Sequence, residues 1–283
     1  MDRRSFNGVA ALALAGWGTG AVAQKTSWLA GLEHDVGGRV GVAVLDTATG
    51  RLTGHRLDER FPMCSTFKWL AAAKVLQRVD AGEESLDREL PVTAADIIDH
   101  APTTGQHVGR TIALGELCDA TIALSDNAAA NLILSTYGGP AAVTAFARSV
   151  GDTTTRLDRT EPALNESRPG DPRDTTTPAA MARTLRAVLL GDALKPASRE
   201  RLTGWMLGTR TSGERLRKGL PAGWRLADKT GTGANGSAND VGVFWAPDRP
   251  PVVVAVYLTG GKASPDQRNA AIAAVAGRIR AGA

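Results

Sequence analysis

The sequence predicts an α/β (α+β) protein: an antiparallel sheet flanked by helices, built from both chain ends, with an all-helical region inserted between them. Extended, partly alternating segments lie near the N-terminus, from Arg39, and again after Gly208. Between them, apolar residues recur at helical spacing. No internal repeat or low-complexity linker separates the two patterns. One sheet assembled from both ends, interrupted by helices, is the simplest arrangement that buries all these faces. This places residues 24–60 and 208–283 in an α/β unit and residues 61–207 in a helical one, the latter including an irregular loop at 154–177.

Each element follows from local chemistry. Arg39 to Leu45 alternates, Asp46-Thr47-Ala48-Thr49-Gly50 supplies turn residues, and Arg51 to Arg60 resumes an extended pattern, which predicts a hairpin. From Ser65 to Val79, apolar residues at 67, 70, 71, 75, 76 and 79 form a helical stripe. Helical patterns continue over 113–120, 128–136 and 141–150. Thr177-Pro178 reads as a cap with proline at the first helical position, opening a helix to about Leu190. Another runs from about Pro196 to Leu207. Segments 224–229, 241–245 and 252–258 read as strands, and 265–279 as a closing helix. The stretch 154–177 is too long and too irregular for a simple connection, which points to function.

Bulk properties narrow the function classes. With 283 residues, 43% apolar and 22% charged, the chain is an ordinary globular one with ample core. A net charge of +4, scattered basic residues, two Tyr and five Phe argue against nucleic-acid binding. Arg3-Arg4 precede an apolar Gly/Ala-rich stretch, and Ala21-Val22-Ala23 offers small residues for cleavage, so residues 1–23 read as an export signal. Arg3-Arg4-Ser5-Phe6 suits a twin-arginine signal, with an ordinary secretory signal as the alternative. No apolar run reaches the roughly 18 residues of a membrane span. A soluble periplasmic or secreted protein without stable membrane association is expected.

The chemistry is concentrated in Ser65-Thr66-Phe67-Lys68, Ser125-Asp126-Asn127 and Lys229-Thr230-Gly231. Lysine three residues after serine on a helix sets an amine beside a weak nucleophile. Lys229, Thr230 and Thr232 lie at a predicted strand edge, where cationic and hydroxyl groups can hold an anion. Gly231-Thr232-Gly233-Ala234-Asn235-Gly236 also satisfies a dinucleotide fingerprint, but a strand rather than a helix is predicted after it, so a nucleotide site is rejected. His34, His55, His100 and His107 are dispersed without metal-ligand spacing, and neither metal nor organic cofactor is expected.

The three motifs, their order, and Glu161-Pro162-Ala163-Leu164-Asn165 between the second and third resemble a class A serine β-lactamase over nearly the whole mature chain. The resemblance implies a cleft between the two units as the active site, a monomer, and β-lactams as small-molecule substrates. It implies Ser65 as the nucleophile that forms an acyl-enzyme, and Ser125 as the proton relay to the departing nitrogen. Glu161, with Asn165, would activate the deacylating water. Lys68 or a water held by Glu161 serves as the acylation base, and the sequence leaves both open. Asn127 matches a residue that binds the substrate's side-chain amide. The backbone N–H groups of Ser65 and Thr232 match an oxyanion hole. Asp126, Arg159, Asp174 and Gly231 match structural positions, Arg159 and Asp174 as an ion pair closing an omega-shaped loop.

Arg215 is the favoured guanidinium for the substrate carboxylate, with Arg268 as the backup, because the arginine that relatives carry at Ala238 is absent. Many relatives have an aromatic wall at the position of His100. Glu166 reads as a solvated loop charge. Some relatives pair cysteines at positions matching Cys118 and Ala72, others at Cys64 and Gly233; here each partner is missing, and two buried free thiols are expected. A penicillin-binding peptidase and a non-turnover β-lactam sensor share parts of the motif set, but the small size of the chain and Glu161 with Asn165 speak against them.

Overall fold

The computed structural model describes residues 19–281. Of the expected export segment, residues 1–18 lie outside the described residues, and residues 19–23 form the first part of a helix. In chain order, α1 (Thr19–Val36) leads into β1 (Arg39–Asp46) and β2 (Leu52–His55). Next come β3 (Phe61–Pro62), a 3₁₀ turn (Cys64–Phe67) and α2 (Lys68–Asp80). The strands β4 (Glu89–Pro91) and β5 (Thr111–Ala113) precede α3 (Leu114–Ala123), α4 (Asn127–Ser135) and α5 (Pro140–Ser149). After the irregular loop come β6 (Thr175–Thr176), α6 (Pro178–Leu189) and α7 (Pro196–Leu207). The chain closes with β7 (Arg225–Thr232), β8 (Ala238–Ala246), β9 (Arg249–Thr259) and α8 (Pro265–Arg280).

The five-stranded antiparallel sheet has the order β2-β1-β9-β8-β7, so the N-terminal hairpin docks on the last strand and both chain ends share one sheet, as predicted. The hairpin turn is set by Asp46, whose Oδ1 accepts the Ala48 amide at 2.8 Å, and by Gly50 at φ +72°, a conformation that needs no Cβ. The second strand is shorter than expected. Arg56, at φ +47°, turns the backbone out of the ladder after His55. The hairpin between β7 and β8 replaces the helix that a dinucleotide site would require.

Because the sheet presents alternate residues to its two faces, it carries two apolar surfaces. One face, with Val40, Val42, Leu226, Val254 and Val256, packs against Leu29 and Val36 of α1 and Ile272, Val275 and Ile279 of α8. The other, with Ala43, Leu45, Val241, Val243, Val253 and Ala255, merges with Leu70, Ile133, Phe146, Leu185 and Leu202 of the helices. Helix α6 lies on β1, β8 and β9, so the inserted region and the sheet share a continuous core. That region is not all helix as expected: besides α2–α7 it holds two short ribbons, β3–β6 and β4–β5, the stretch 81–113 without an α-helix, and the irregular loop 154–177.

Caps fix where helices begin. Thr177 accepts the Ala180 amide at 3.2 Å, with Pro178 at the first helical position, as its sequence indicated. Ser264 and Gln267 form a capping box on α8. Leu185 of α6 is fully buried at the junction of sheet and helices. Leu185→Ala is therefore expected to cost about 2–5 kcal/mol, read as a lower urea midpoint at unchanged slope; a midpoint within error of the parent would place the shared core elsewhere.

Candidate active site

Four segments distant in sequence meet beside the 3₁₀ turn. Ser65 stands on that turn rather than inside α2, after Cys64 at φ +46°, and Lys68 begins the helix one turn later. The turn lies against β7 and β8. Contact there requires Gly231: a Cβ at this position would stand 2.8 Å from the Met63 carbonyl oxygen and 3.2 Å from the Ser65 amide nitrogen. Asn239 of β8 ties the same turn from behind, donating to the Pro62 and Met63 carbonyls at 2.9 and 3.0 Å.

Lys68 is fully buried and is the electrostatic centre of the site. Its Nζ donates to the Ser125 carbonyl oxygen at 2.7 Å, Ser125 Oγ at 3.3 Å and Asn127 Oδ1 at 2.6 Å, and lies 3.1 Å from Glu161 Oε1. Burial lowers the affinity of this amine for its proton, an effect opposed by the Glu161 charge. Ser65 Oγ donates to Glu161 Oε1 at 3.3 Å. The hydroxyl and the amine thus both face the Glu161 carboxylate, and the amine faces three further acceptors.

Ser125, in a left-handed conformation at φ +61°, also accepts from Lys229 Nζ at 3.0 Å. Burial, reinforced by the Lys68 cation, holds the Lys229 ammonium well below the ordinary lysine range. Asp126, not Ser125, caps α4: its Oδ1 accepts the Ala129 amide and its Oδ2 accepts those of Thr103 and Thr104. Asn127 also donates to the Asp99 carbonyl at 2.8 Å.

The loop 154–177 presents Glu161 through several anchors. Asn165 Nδ2 donates to Glu161 Oε2. Arg159 Nε meets Asp174 Oδ2 at 2.6 Å, and Asp174 Oδ1 accepts the amides of Asp158 and Arg159, so the expected ion pair is present. Glu166 is a partly exposed loop charge, and its Oε2 also pairs with Arg159 Nη1 at 2.7 Å, making Arg159 a bridge between two carboxylates. A buried network of Asp152, Thr155, Thr176 and Thr184 closes the base of the loop.

At the strand edge, Thr230 Oγ1 meets Thr211 Oγ1 at 2.6 Å. Arg215 donates to Thr232 Oγ1 at 2.8 Å, to the Gly231 and Asn239 carbonyls at 2.9 and 2.8 Å, and to Asn269 at 2.8 Å. Burial makes this guanidinium a weaker base than an ordinary arginine. A cleft of about 330 Å³ is lined by Ser65, Ser125, Asn127 and Asn165 on one side and Thr230, Thr232 and Arg215 on the other. His100 lies at its rim, exposed, with Nε2 hydrogen-bonded to the Leu124 carbonyl oxygen at 2.8 Å. A larger recess of about 420 Å³ lies against residues 167–172 and is lined by neither Ser65 nor Glu161. Among the described residues, no group of three or more His, Cys, Asp or Glu is placed to hold a metal ion.

A family model described as the β-lactamase enzyme family matches residues 37–281. The chain is 49% identical to β-lactamase L2 of Stenotrophomonas maltophilia over 92% of this chain and 86% of that one. It is 46% identical to β-lactamase CTX-M-8 of Citrobacter amalonaticus over 88% and 85%. Among solved structures, an ancestral class A β-lactamase superposes with a TM-score of 0.90 at 58% identity, covering 92% of this chain and all of that one. The chain belongs to the class A β-lactamases.

Within this β-lactamase, two site features escaped sequence reasoning. Asn131 brackets the Glu161 backbone, donating to its carbonyl at 2.9 Å and accepting its amide at 3.0 Å. Its position four residues after Asn127, on one face of α4, was the available signal. Ser167 is the second: its Oγ lies 3.6 Å from Cys64 Sγ beneath the cleft. Cys64 and Cys118 are both free and buried, and burial pushes the Cys64 thiol up to about 12.

Gly231→Ala is expected to lower kcat/KM by about 10- to 100-fold by pushing the Ser65 turn away from β7. The check is steady-state kinetics beside thermal unfolding; parent-like kinetics would mean that the turn and strand move apart freely.

Proposed function

We propose that this β-lactamase opens the four-membered ring through a Ser65 acyl-enzyme and releases it by hydrolysis directed by Glu161. The observation that carries the reading is one carboxylate serving two neighbours: Glu161 Oε1 accepts from Ser65 Oγ at 3.3 Å and lies 3.1 Å from Lys68 Nζ. A base must reach the proton it removes, and here Glu161 reaches it while the Lys68 protons are directed at acceptors. Glu161 therefore takes the Ser65 proton, Lys68 passes one to Ser125 and is refilled from Glu161 3.1 Å away, and Glu161 is a carboxylate again before deacylation.

In acylation, Ser65 Oγ bonds to the lactam carbonyl carbon and the carbon–nitrogen bond breaks. Ser125 Oγ protonates the nitrogen and is resupplied from Lys68 or Lys229, both of which donate to it. The backbone N–H groups of Ser65 and Thr232 take the developing oxyanion. In deacylation, Glu161, oriented by Asn165, removes a proton from water; the new oxygen–carbon bond forms, the ester bond breaks and Ser65 recovers its proton. Side chains carry every proton, so the reading invokes no metal or organic cofactor.

Substrate holding follows the two walls. Lys229, Thr230, Thr232 and Arg215 form the carboxylate end, Asn127 and Asn165 contact the side-chain amide, and His100 gates the rim. Asp126, Arg159, Asp174 and Gly231 act by holding these groups. The division into an α/β unit and a helical one describes the two walls of the cleft. No described helix is long and apolar enough to cross a membrane. A monomer exported as a soluble enzyme completes the reading, with the twin-arginine route as the first to test.

Glu161→Ala should acylate more slowly, with Lys68 as the remaining base, and deacylate more slowly still, so that the ester accumulates and turnover falls roughly 100- to 10,000-fold. Intact mass after mixing with a cephalosporin, alongside turnover with a chromogenic substrate, tests this. Fast multiple turnover by that variant would sink the Glu161 assignment.

A further inference from the structure

The segment between α7 and β7 carries Arg215 yet contains no helix or strand of its own. Something else must hold it. Two fully buried carboxyls do so from the sheet. Asp240 Oδ2 accepts the Leu216 amide at 3.1 Å. Asp228 Oδ1 pairs with the Arg217 guanidinium, whose Nε donates to Ser212 Oγ at 3.1 Å and whose Nη2 donates to the Leu226 carbonyl at 2.8 Å. The residues on either side of these anchors are the ones that define the Arg215 turn, closed by the Arg215 amide on the Ser212 carbonyl at 2.8 Å.

The two carboxyls also face each other. Asp228 lies opposite Gly242 and Asp240 opposite Thr230, which makes them diagonal neighbours on one face of the sheet. Gly242 leaves the room, since a Cβ there would come within 2.9 Å of Asp228 Cβ. Among the described residues, the buried Asp228 Oδ2 and Asp240 Oδ1 have no hydrogen-bond partner. Two bare carboxylate oxygens in such a place repel, whereas one proton between them satisfies both. Burial raises both carboxyls above the ordinary aspartate range, and for Asp240 the Asp228 charge adds to it.

We propose that Asp228 and Asp240 share one proton and together act as positioning residues that aim Arg215 at the substrate carboxylate. The inference rests on the carboxylate role of Arg215 given above. Neither aspartate touches substrate. Their contribution is to ground-state recognition of the carboxylate, and it is separate from the Ser65–Glu161 chemistry on the opposite face of β7.

The test is steady-state kinetics on a penicillin and on its methyl ester, which lacks the charge that Arg215 would meet. Asp240→Ala should raise KM for the acid about tenfold with kcat within about threefold, and leave the ester unchanged. Asp240→Asn, which can donate to Asp228 and still accept from Leu216, should restore the parent KM. Arg217→Ala releases the other anchor from the partly exposed side and should reproduce the acid-only rise in KM even where Asp240→Ala does not fold. Equal losses on acid and ester, or an Asn variant as poor as the Ala variant, would overturn the proposal. Arg215→Ala separates the two readings. If it leaves KM for the acid unchanged, the carboxylate role fails and the positioning role falls with it. If it raises that KM while Asp240→Ala and Arg217→Ala do not, only the positioning role fails.

Discussion

A buried ammonium is the constraint around which this enzyme is organised. Lys68 has no access to solvent, and an uncompensated charge there would cost several kcal/mol. Its partners cannot come from α2, where backbone groups are already paired. They come from the Ser125–Asn127 corner and from Glu161 on the long loop, so three segments must converge before the lysine can be buried. Ser65, one turn before Lys68, is thereby delivered to the same carboxylate. The requirement for a stable interior and the requirement for an activated nucleophile are met by the same set of contacts.

The sheet edge provides the opposite wall by exploiting the two-residue period of β7. Lys229 projects towards Ser125, whereas Asp228 and Thr230 project to the other side, where the Arg215 segment lies. Alternation thus puts Lys229 on one face, against Ser125, and Asp228 and Thr230, which meet the segment 208–224, on the other. Gly231, between them, is bare because the nucleophile turn occupies the space of its side chain.

What was legible in the sequence was what local chemistry decides. The Thr177-Pro178 cap, the extent of α7, the Asp46–Gly50 turn and the motif serines and lysines all announce themselves within a few residues. Arg159 and Asp174 were legible only through family resemblance, since nothing local links residues fifteen apart. The pairing of Glu166 was illegible for the same reason: the sequence shows a solvated loop charge, and only the fold brings Arg159 to it. Asn131 shares a helix face with Asn127, but its partner is the backbone of Glu161, which no side-chain pattern can identify. The short ribbons β3–β6 and β4–β5 are too brief for a periodic pattern and exist through long-range pairing.

That asymmetry explains why the loop 154–177 can be both irregular and rigid. Ordering a residue costs roughly 1–2 kcal/mol of backbone entropy, so a loop without ladder hydrogen bonds needs anchors spread along its length. It has them at both ends and at its centre: the Asp152 network, the Arg159–Asp174–Glu166 bridge, and Asn131 on Glu161. A sensor that only needs to be acylated has no use for a carboxylate anchored in this way. An enzyme that must turn an ester over does, because the base has to remain within hydrogen-bond reach of Ser65 after the acyl group has replaced the proton there. Under the proposed role of Glu161, the anchors around it are what hydrolysis needs and acylation alone does not.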